Sequence, residues 1–158
     1  MLLHALEHAQ TVAIAGHMRP DGDCVGSCMG LYHYIKSWYP EKDVDVYLED
    51  IPNSFHFIQR TEEIFHELKG KQYDLFVALD CGDSKRLGFA EEAFCQAKAT
   101  ICVDHHISNE AYGENNYIKP DASSTSELVY ELLEKEKITK EVAECLYLGI
   151  VHDTGVFQ

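Results

Sequence analysis

The segment TVAIAGHMRPDGD, residues 11–23, decides the fold, because a short apolar run passes directly into a polar, turn-forming one. TVAIAG (11–16) is typical of a buried strand, and the stretch from Cys24 to Trp38 that follows has apolar residues at helical spacing. Further strand-like apolar runs stand at 44–48, 73–80 and 99–104. Strands that alternate with helices in this way indicate an α/β fold, a Rossmann-like and mostly parallel sheet flanked by helices.

The later helices are predicted from the same periodicity, at about 89–97, from Ser123 to Glu136, and from about Thr139 to Ile150. Ser and Thr open the second of these, and such residues favour helix N-termini. In the helix from Cys24, Gly26 and Gly30 indicate close packing against a neighbouring helix. Since 158 residues suit one hydrophobic core and no linker or repeat interrupts them, we predict a single catalytic domain over residues 1–158.

The charge balance limits the partners of the chain. Thirteen basic and 27 acidic side chains give a formal net charge of −14, which repels long duplex nucleic acid and anionic membrane surfaces. The six cysteines form no CxxC pair, and neither a signal peptide nor a membrane-spanning run is visible in the sequence. We therefore expect free thiols, a cytoplasmic location and a small substrate.

Polar clusters directly follow three of the predicted strands: GHMRPDGD, DCGD and DHH. The carboxyl ends of parallel strands lie along one edge of a sheet, where such folds bind ligands, so these clusters should meet in space. Asp153, at the end of the last predicted helix, is a candidate to join them. The expected set is His17, Asp21, Asp23, Asp80, Asp83, Asp104, His105, His106 and Asp153.

Carboxylates in such number repel one another unless cations compensate, so the cluster predicts bound metal. Oxygen donors with a minority of imidazoles suit Mn²⁺, with Mg²⁺, Co²⁺ or Fe²⁺ as alternatives. Two divalent metal ions would polarise a phosphoryl oxygen and activate a bridging water for in-line attack. The sequence thus predicts a metal-dependent phosphoesterase.

Each motif taken alone also has a purely structural interpretation. PDGD is a common turn, and Asp83 is equally well explained as a helix cap or as a ligand-binding group. Arg86 fits either a phosphate contact or a solvated position at a helix start. For Ser124, helix capping is a better first explanation than substrate binding. Only the succession of clusters after strands favours a shared site.

The same residues resemble the motifs of the DHH phosphoesterase family, which cover about residues 10–157 in the expected order. The first motif is GHMRPDGD, the second LDCGD, the third DHH and the fourth DTGVF. The resemblance is greatest to the bacterial nanoRNase and pAp phosphatase subgroup. It implies hydrolysis of very short RNAs, as an oligoribonuclease, and of 3′-phosphoadenosine 5′-phosphate.

The resemblance also implies a role for each residue. His17 and Asp21 would hold one metal, Asp23, His105 and Asp153 the other, and Asp80 would bridge both. His106 would face the scissile phosphate, and Asp104 would orient an imidazole from behind.

Members of this family usually continue into a second, smaller substrate-binding domain, which we expect to be absent from this chain. We interpret the chain as a fragment of a longer protein. A family II type inorganic pyrophosphatase, a cyclic dinucleotide phosphodiesterase and a catalytically incomplete metal-binding module remain as alternatives. The sequence leaves the oligomeric state open, with a homodimer as one option.

Overall fold

A five-stranded parallel sheet forms the centre of the computed structural model, which describes residues 1–154. The strand order is β2-β1-β3-β4-β5, and every neighbouring pair is parallel. The strands are β1 Thr11–Ala15, β2 Asp43–Tyr47, β3 Leu75–Leu79, β4 Thr100–Asp104 and β5 Asn115–Ile118. The α/β class predicted from the sequence is confirmed.

Within residues 1–154, five α-helices accompany the sheet: α1 Leu2–His8, α2 Gly22–Trp38, α3 Glu91–Gln96, α4 Thr125–Leu132 and α5 Lys140–Thr154. The sequence did not indicate α1 or β5. It also extended α4 to Glu136, whereas the chain turns to an extended conformation at Leu133. Lys135 explains this end, because its Nζ donates to the backbone carbonyls of Tyr130, Glu131 and Leu133.

Both faces of the sheet are covered, as the continuous apolar run of β3 predicts. Val77 and Leu79 point into the larger core, beneath α1, α2, α4 and α5. Phe76 and Ala78 alternate with them and point into the smaller core on the α3 side. A strand buried on both faces is held firmly in register, so the residue that follows it is fixed in position.

Helices α2 and α5 pack in unusually close contact. A Cβ atom at Gly26 would lie 2.4 Å from the backbone oxygen of Cys145 and 2.9 Å from the backbone nitrogen of Gly149. A Cβ at Gly30 would lie 2.7 Å from the side chain of Leu146. The prediction of close helix packing at these glycines is confirmed, and it brings the start of α2 beside the end of α5.

The thiols and the helices of residues 1–154 bear on the environment of the protein. All six cysteines in this part of the chain are free. No helix of these residues combines the length and apolar character that a membrane crossing requires.

Candidate metal centre

The polar clusters meet at the carboxyl edge of the sheet. His17 follows β1, Asp80 follows β3, and His105 follows β4. Asp21 is the N-cap of α2, where its side chain accepts a hydrogen bond from the backbone N–H of Cys24 at 3.0 Å. Asp153 joins them from the last turn of α5. The rest of the fourth motif, beyond Thr154, lies outside the described residues.

One half of the cluster is centred on His17. Its Nε2 lies 3.5 Å from Oδ1 of Asp21 and 3.5 Å from Oδ2 of Asp80. Its Nδ1 lies 2.6 Å from the backbone oxygen of Met18, which can only accept a hydrogen bond. Nδ1 therefore carries a proton. In the metal-free cluster Nε2 faces two acceptors as a second donor, and it would offer its lone pair to a metal ion once that proton is lost.

The other half is centred on His105. Its Nε2 lies 3.1 Å from Oδ2 of Asp153, 3.6 Å from Oδ2 of Asp23 and 3.7 Å from Oδ1 of Asp80. Asp80 thus belongs to both halves: its Oδ2 faces His17 and its Oδ1 faces His105.

The backbone of Asp80 explains how its side chain reaches both histidines. Its φ is +57°, a left-handed conformation that is uncommon outside glycine and that aspartate tolerates better than most residues. The strained turn comes at the end of a strand buried on both faces, which fixes it. Asp80 itself is 2% exposed, and the hydroxyl of Thr125 donates to its Oδ1 at 3.1 Å.

The N-terminus of α4 holds Asp23. The backbone N–H groups of Thr125 and Ser126 donate to the two carboxylate oxygens of Asp23, each at 2.9 Å. Such donors favour a negative charge at that place. The sequence indicated this segment only as a helix cap, without the support that it gives to Asp23 and Asp80. The signal was the Ser-Ser-Thr run before α4, although nothing in the sequence connects it with Asp23.

Ser124, considered for substrate binding, is fully buried, and its side chain accepts the backbone N–H of Glu127. It caps α4 and has no exposed surface that a substrate could touch, so we withdraw it from the substrate-binding residues.

His106 lies beside the cluster but has its hydrogen-bond partner outside the two halves. Its Nδ1 lies 2.7 Å from Oδ1 of the buried Asp104, whose Oδ2 accepts a hydrogen bond from the side chain of Asn109 at 2.8 Å. The hydrogen bond with Asp104 raises the pKa of His106 more than burial lowers it. Asp104 therefore orients an imidazole, that of His106, and Asn109 is a supporting residue that the motifs did not indicate.

Asp83 and Arg86 lie at the start of the 3-10 segment Ser84–Ala90. Asp83 caps it, because its Oδ1 accepts the backbone N–H of Arg86 at 3.1 Å. The backbone oxygen of Arg86 accepts the N–H of Met18 at 2.8 Å, which connects the second motif to the first, while the Arg86 side chain is exposed. Of the two roles considered for Asp83, helix cap or ligand-binding group, the structure shows the cap.

Without a cation, the cluster retains protons. Burial and repulsion from Asp80 and Asp153 raise the pKa of Asp23, and burial raises the pKa of Asp80. Burial would lower the pKa of His17, but hydrogen bonding to Asp21 and Asp80 outweighs it and raises the value to about 11. Carboxylates that hold protons at neutral pH are compensated more effectively by a bound cation.

The donor set fits divalent metal. Ligand atoms approach within 4.8 Å of one another in several overlapping groups, among them Asp80 with His105 and His106, and Asp23 with His105 and Asp153. His17 and Asp80 form a further group with Cys24, and Asp21 forms one with His152 and Asp153. Mostly oxygen donors with imidazoles suit hard or borderline ions, and the two halves joined at Asp80 suit a pair of them.

The sequence of the chain matches a known protein family and several known proteins. Residues 11–150 match the DHH family, N-terminal domain. The bifunctional oligoribonuclease and PAP phosphatase of Bacillus subtilis is 31% identical over 161 residues, which cover 99% of this chain and 50% of that protein. The cyclic-di-AMP phosphodiesterase of Geobacillus thermodenitrificans is 30% identical over 186 residues, with 99% of this chain and 27% of that protein covered.

Among solved structures, an exopolyphosphatase-related protein from Bacteroides fragilis superimposes with a TM-score of 0.90 at 30% identity, over 99% of this chain and 50% of that one. The chain spans about half the length of the relatives that share the oligoribonuclease name. The match of the family model to residues 11–150 is nevertheless sufficient to assign the family. The chain therefore belongs to the DHH family, whose N-terminal domain its residues 11–150 form.

Proposed function

We propose that this chain carries the catalytic site of a metal-dependent phosphoesterase that hydrolyses short oligoribonucleotides, 3′-phosphoadenosine 5′-phosphate, or both. The observation that carries the proposal is the placement of Asp80 between His17 and His105, with one carboxylate oxygen toward each imidazole. The names of the relatives, which combine oligoribonuclease with PAP phosphatase, support this substrate class.

In this proposal His17 and Asp21 would hold one divalent ion, Asp23, His105 and Asp153 would hold the second, and Asp80 would serve both. Such ions, Mn²⁺ first and Mg²⁺, Co²⁺ or Fe²⁺ otherwise, supply Lewis acidity toward a phosphoryl oxygen and lower the pKa of a bound water. The chain's own part is to fix the ligand positions. The Thr125 hydroxyl fixes Asp80, and the backbone N–H groups at the N-terminus of α4 fix Asp23.

His106 is the proposed catalytic residue that touches the substrate. Asp104 raises its pKa and fixes its orientation, so that protonation of this imidazole at the rim of the site is favoured. A positive charge there stabilises the negative charge that accumulates on the phosphate during hydrolysis.

A cyclic dinucleotide phosphodiesterase is the second candidate, because the cyclic-di-AMP phosphodiesterases of two bacteria also match 99% of the chain. The ligand cluster serves either class of substrate, since each contains a phosphate ester. Substrate preference separates the candidates.

The test is hydrolysis by the Mn²⁺-loaded chain of three substrates: a diribonucleotide, 3′-phosphoadenosine 5′-phosphate and cyclic di-AMP. The same assay is run on this chain joined to the C-terminal half of the Bacillus subtilis relative. We expect turnover of the first two substrates, and preference for cyclic di-AMP would favour the second candidate. Absence of hydrolysis in both forms, with metal bound, would identify the domain as a catalytically incomplete metal-binding module.

A further inference from the structure

A pocket of about 460 Å³ lies beside the metal centre, between the loop that follows β3 and the loop that follows β4. Residues 82–85 form one wall, and Ser108, Glu110 and Tyr112 form the other. The volume falls within the range of about 300–1,000 Å³ that is common for small-molecule sites. The pocket is lined by none of the residues that are proposed above as catalytic or metal-binding.

The two walls are tied together, so the pocket is preformed. The backbone oxygen of Cys81 accepts a hydrogen bond from the Tyr112 hydroxyl at 2.8 Å and from the Asn109 side chain at 3.3 Å. Asn109 also donates to Asp104, which in turn holds His106. One network therefore positions both the pocket and the proposed catalytic imidazole.

The pocket adjoins the reacting centre across His106. A Cβ atom at Gly82 would lie 3.9 Å from Cβ and 4.0 Å from Cγ of His106, so this wall lies next to the His106 side chain. Asp80, at the centre of the ligand cluster, shares a group of possible ligand atoms with the same imidazole. A substrate whose phosphate lies at the cluster can extend past His106 into the pocket.

The lining chemistry indicates which part of a substrate fits. Asp83 and Glu110 contribute carboxylates, Ser84 and Ser108 contribute hydroxyls, and Lys85 is the only cation among the lining residues. A second phosphate would meet two like charges, whereas sugar hydroxyls can donate to carboxylates. The aromatic ring of Tyr112 adds an apolar surface suited to a nucleobase.

We propose that this pocket binds one ribonucleoside of the substrate, joined through the scissile phosphate, and that Glu110 accepts a hydrogen bond from its ribose. The inference rests on the proposed function and extends it, because it makes the DHH domain itself a contributor to ribonucleotide selection. A contact to the 2′-hydroxyl distinguishes RNA from DNA.

The experiment measures binding to the Mn²⁺-loaded chain of three probes: inorganic phosphate, a phosphorothioate diribonucleotide that resists hydrolysis, and the corresponding deoxyribose dinucleotide. Ser108→Tyr fills the pocket from an exposed position. Ser37→Tyr adds the same ring at an exposed residue of α2, far from the carboxyl edge of the sheet, as the control. Glu110→Ala removes the acceptor that the proposal assigns to the ribose, at an exposed position.

We expect Ser108→Tyr to weaken diribonucleotide binding about tenfold or more and to leave phosphate binding unchanged. We expect a preference for ribose over deoxyribose of about tenfold in the unmodified chain, and Glu110→Ala should reduce it toward unity. Full diribonucleotide affinity in Ser108→Tyr, equal losses in Ser37→Tyr, or an unchanged ribose preference in Glu110→Ala would overturn the inference. Failure of the unmodified chain to bind phosphate would instead contradict the proposed function.

Discussion

Asp80 lies between His17 and His105, with its Oδ2 3.5 Å from Nε2 of the first and its Oδ1 3.7 Å from Nε2 of the second. No other carboxylate among residues 1–154 forms ion pairs with both histidines. A single buried side chain therefore joins two groups of candidate ligands that come from different strands and helices.

Asp80→Asn should abolish metal binding and hydrolysis more completely than His106→Ala. The amide keeps the size of the side chain but loses the charge that both proposed metal positions share, whereas His106 contributes only at the phosphate. Metal content after dialysis against Mn²⁺, measured together with phosphoester hydrolysis, checks this. Equal and mild effects of the two substitutions would remove Asp80 from its proposed role.

Thr125→Val should lower metal affinity by about 10- to 100-fold, because it removes the hydroxyl that donates to Oδ1 of Asp80 while keeping the shape of the side chain. Thr139→Val is the control. Thr139 accepts the N–H of Val142 at the start of α5, so its loss should cost about 1 kcal/mol of stability without changing metal affinity. Titration with Mn²⁺ and chemical unfolding separate the two effects; similar affinities in both variants would contradict the prediction.

Removal of metal should destabilise the fold, since buried carboxylates lose their counter-charge while remaining close together. At a metal concentration of about 100 times Kd, binding contributes about 2.7 kcal/mol, which corresponds to a Tm change of about 5–10 °C for a chain of this size. Thermal unfolding with saturating Mn²⁺ and with EDTA measures it. The prediction fails if the two melting temperatures coincide.

Metal binding should release protons and weaken as the pH falls. The pKa values of Asp23 and Asp80 are raised in the metal-free cluster, that of Asp23 to about 9, so a cation that binds at neutral pH must displace at least the proton of Asp23. Below the raised pKa values protons compete with metal, and above them they do not. Calorimetric titration in two buffers of different ionisation enthalpy counts the protons, and Asp23→Asn should reduce the count. Identical heats in both buffers would show that no proton is released.

Gly26→Ala should destabilise the protein by about 1–3 kcal/mol and weaken metal binding. The added methyl group would overlap the backbone of Cys145, so α2 and α5 must separate, and these helices carry Asp23 and Asp153. Gly82→Ala meets only ordinary contacts of 3.9 Å and should change stability by less than about 1 kcal/mol. Urea unfolding of both variants is the measurement, and comparable stabilities would show that the helices accommodate the methyl group.

Local patterning in the sequence was sufficient for the central sheet. The runs that became β1, β3 and β4 are continuously apolar because both faces are covered, and this pattern is visible without any tertiary information. β5 was not visible, since Asn115 and Asn116 are poor strand formers and only pairing with β4 makes the segment a strand. The end of α4 was also missed, because the lysine that satisfies its last carbonyls is itself a good helix former.

By itself, the sequence determined that strands end in carboxylates and imidazoles, and that parallel strands bring such ends to one edge. Only the tertiary structure decided which atoms face one another. That Asp80 turns toward two histidines depends on its left-handed backbone, and that Asp23 meets the start of α4 joins residues 102 positions apart. Long-range contacts of this kind leave no periodic trace in the chain, because they arise from the packing of whole elements rather than from local residue preference.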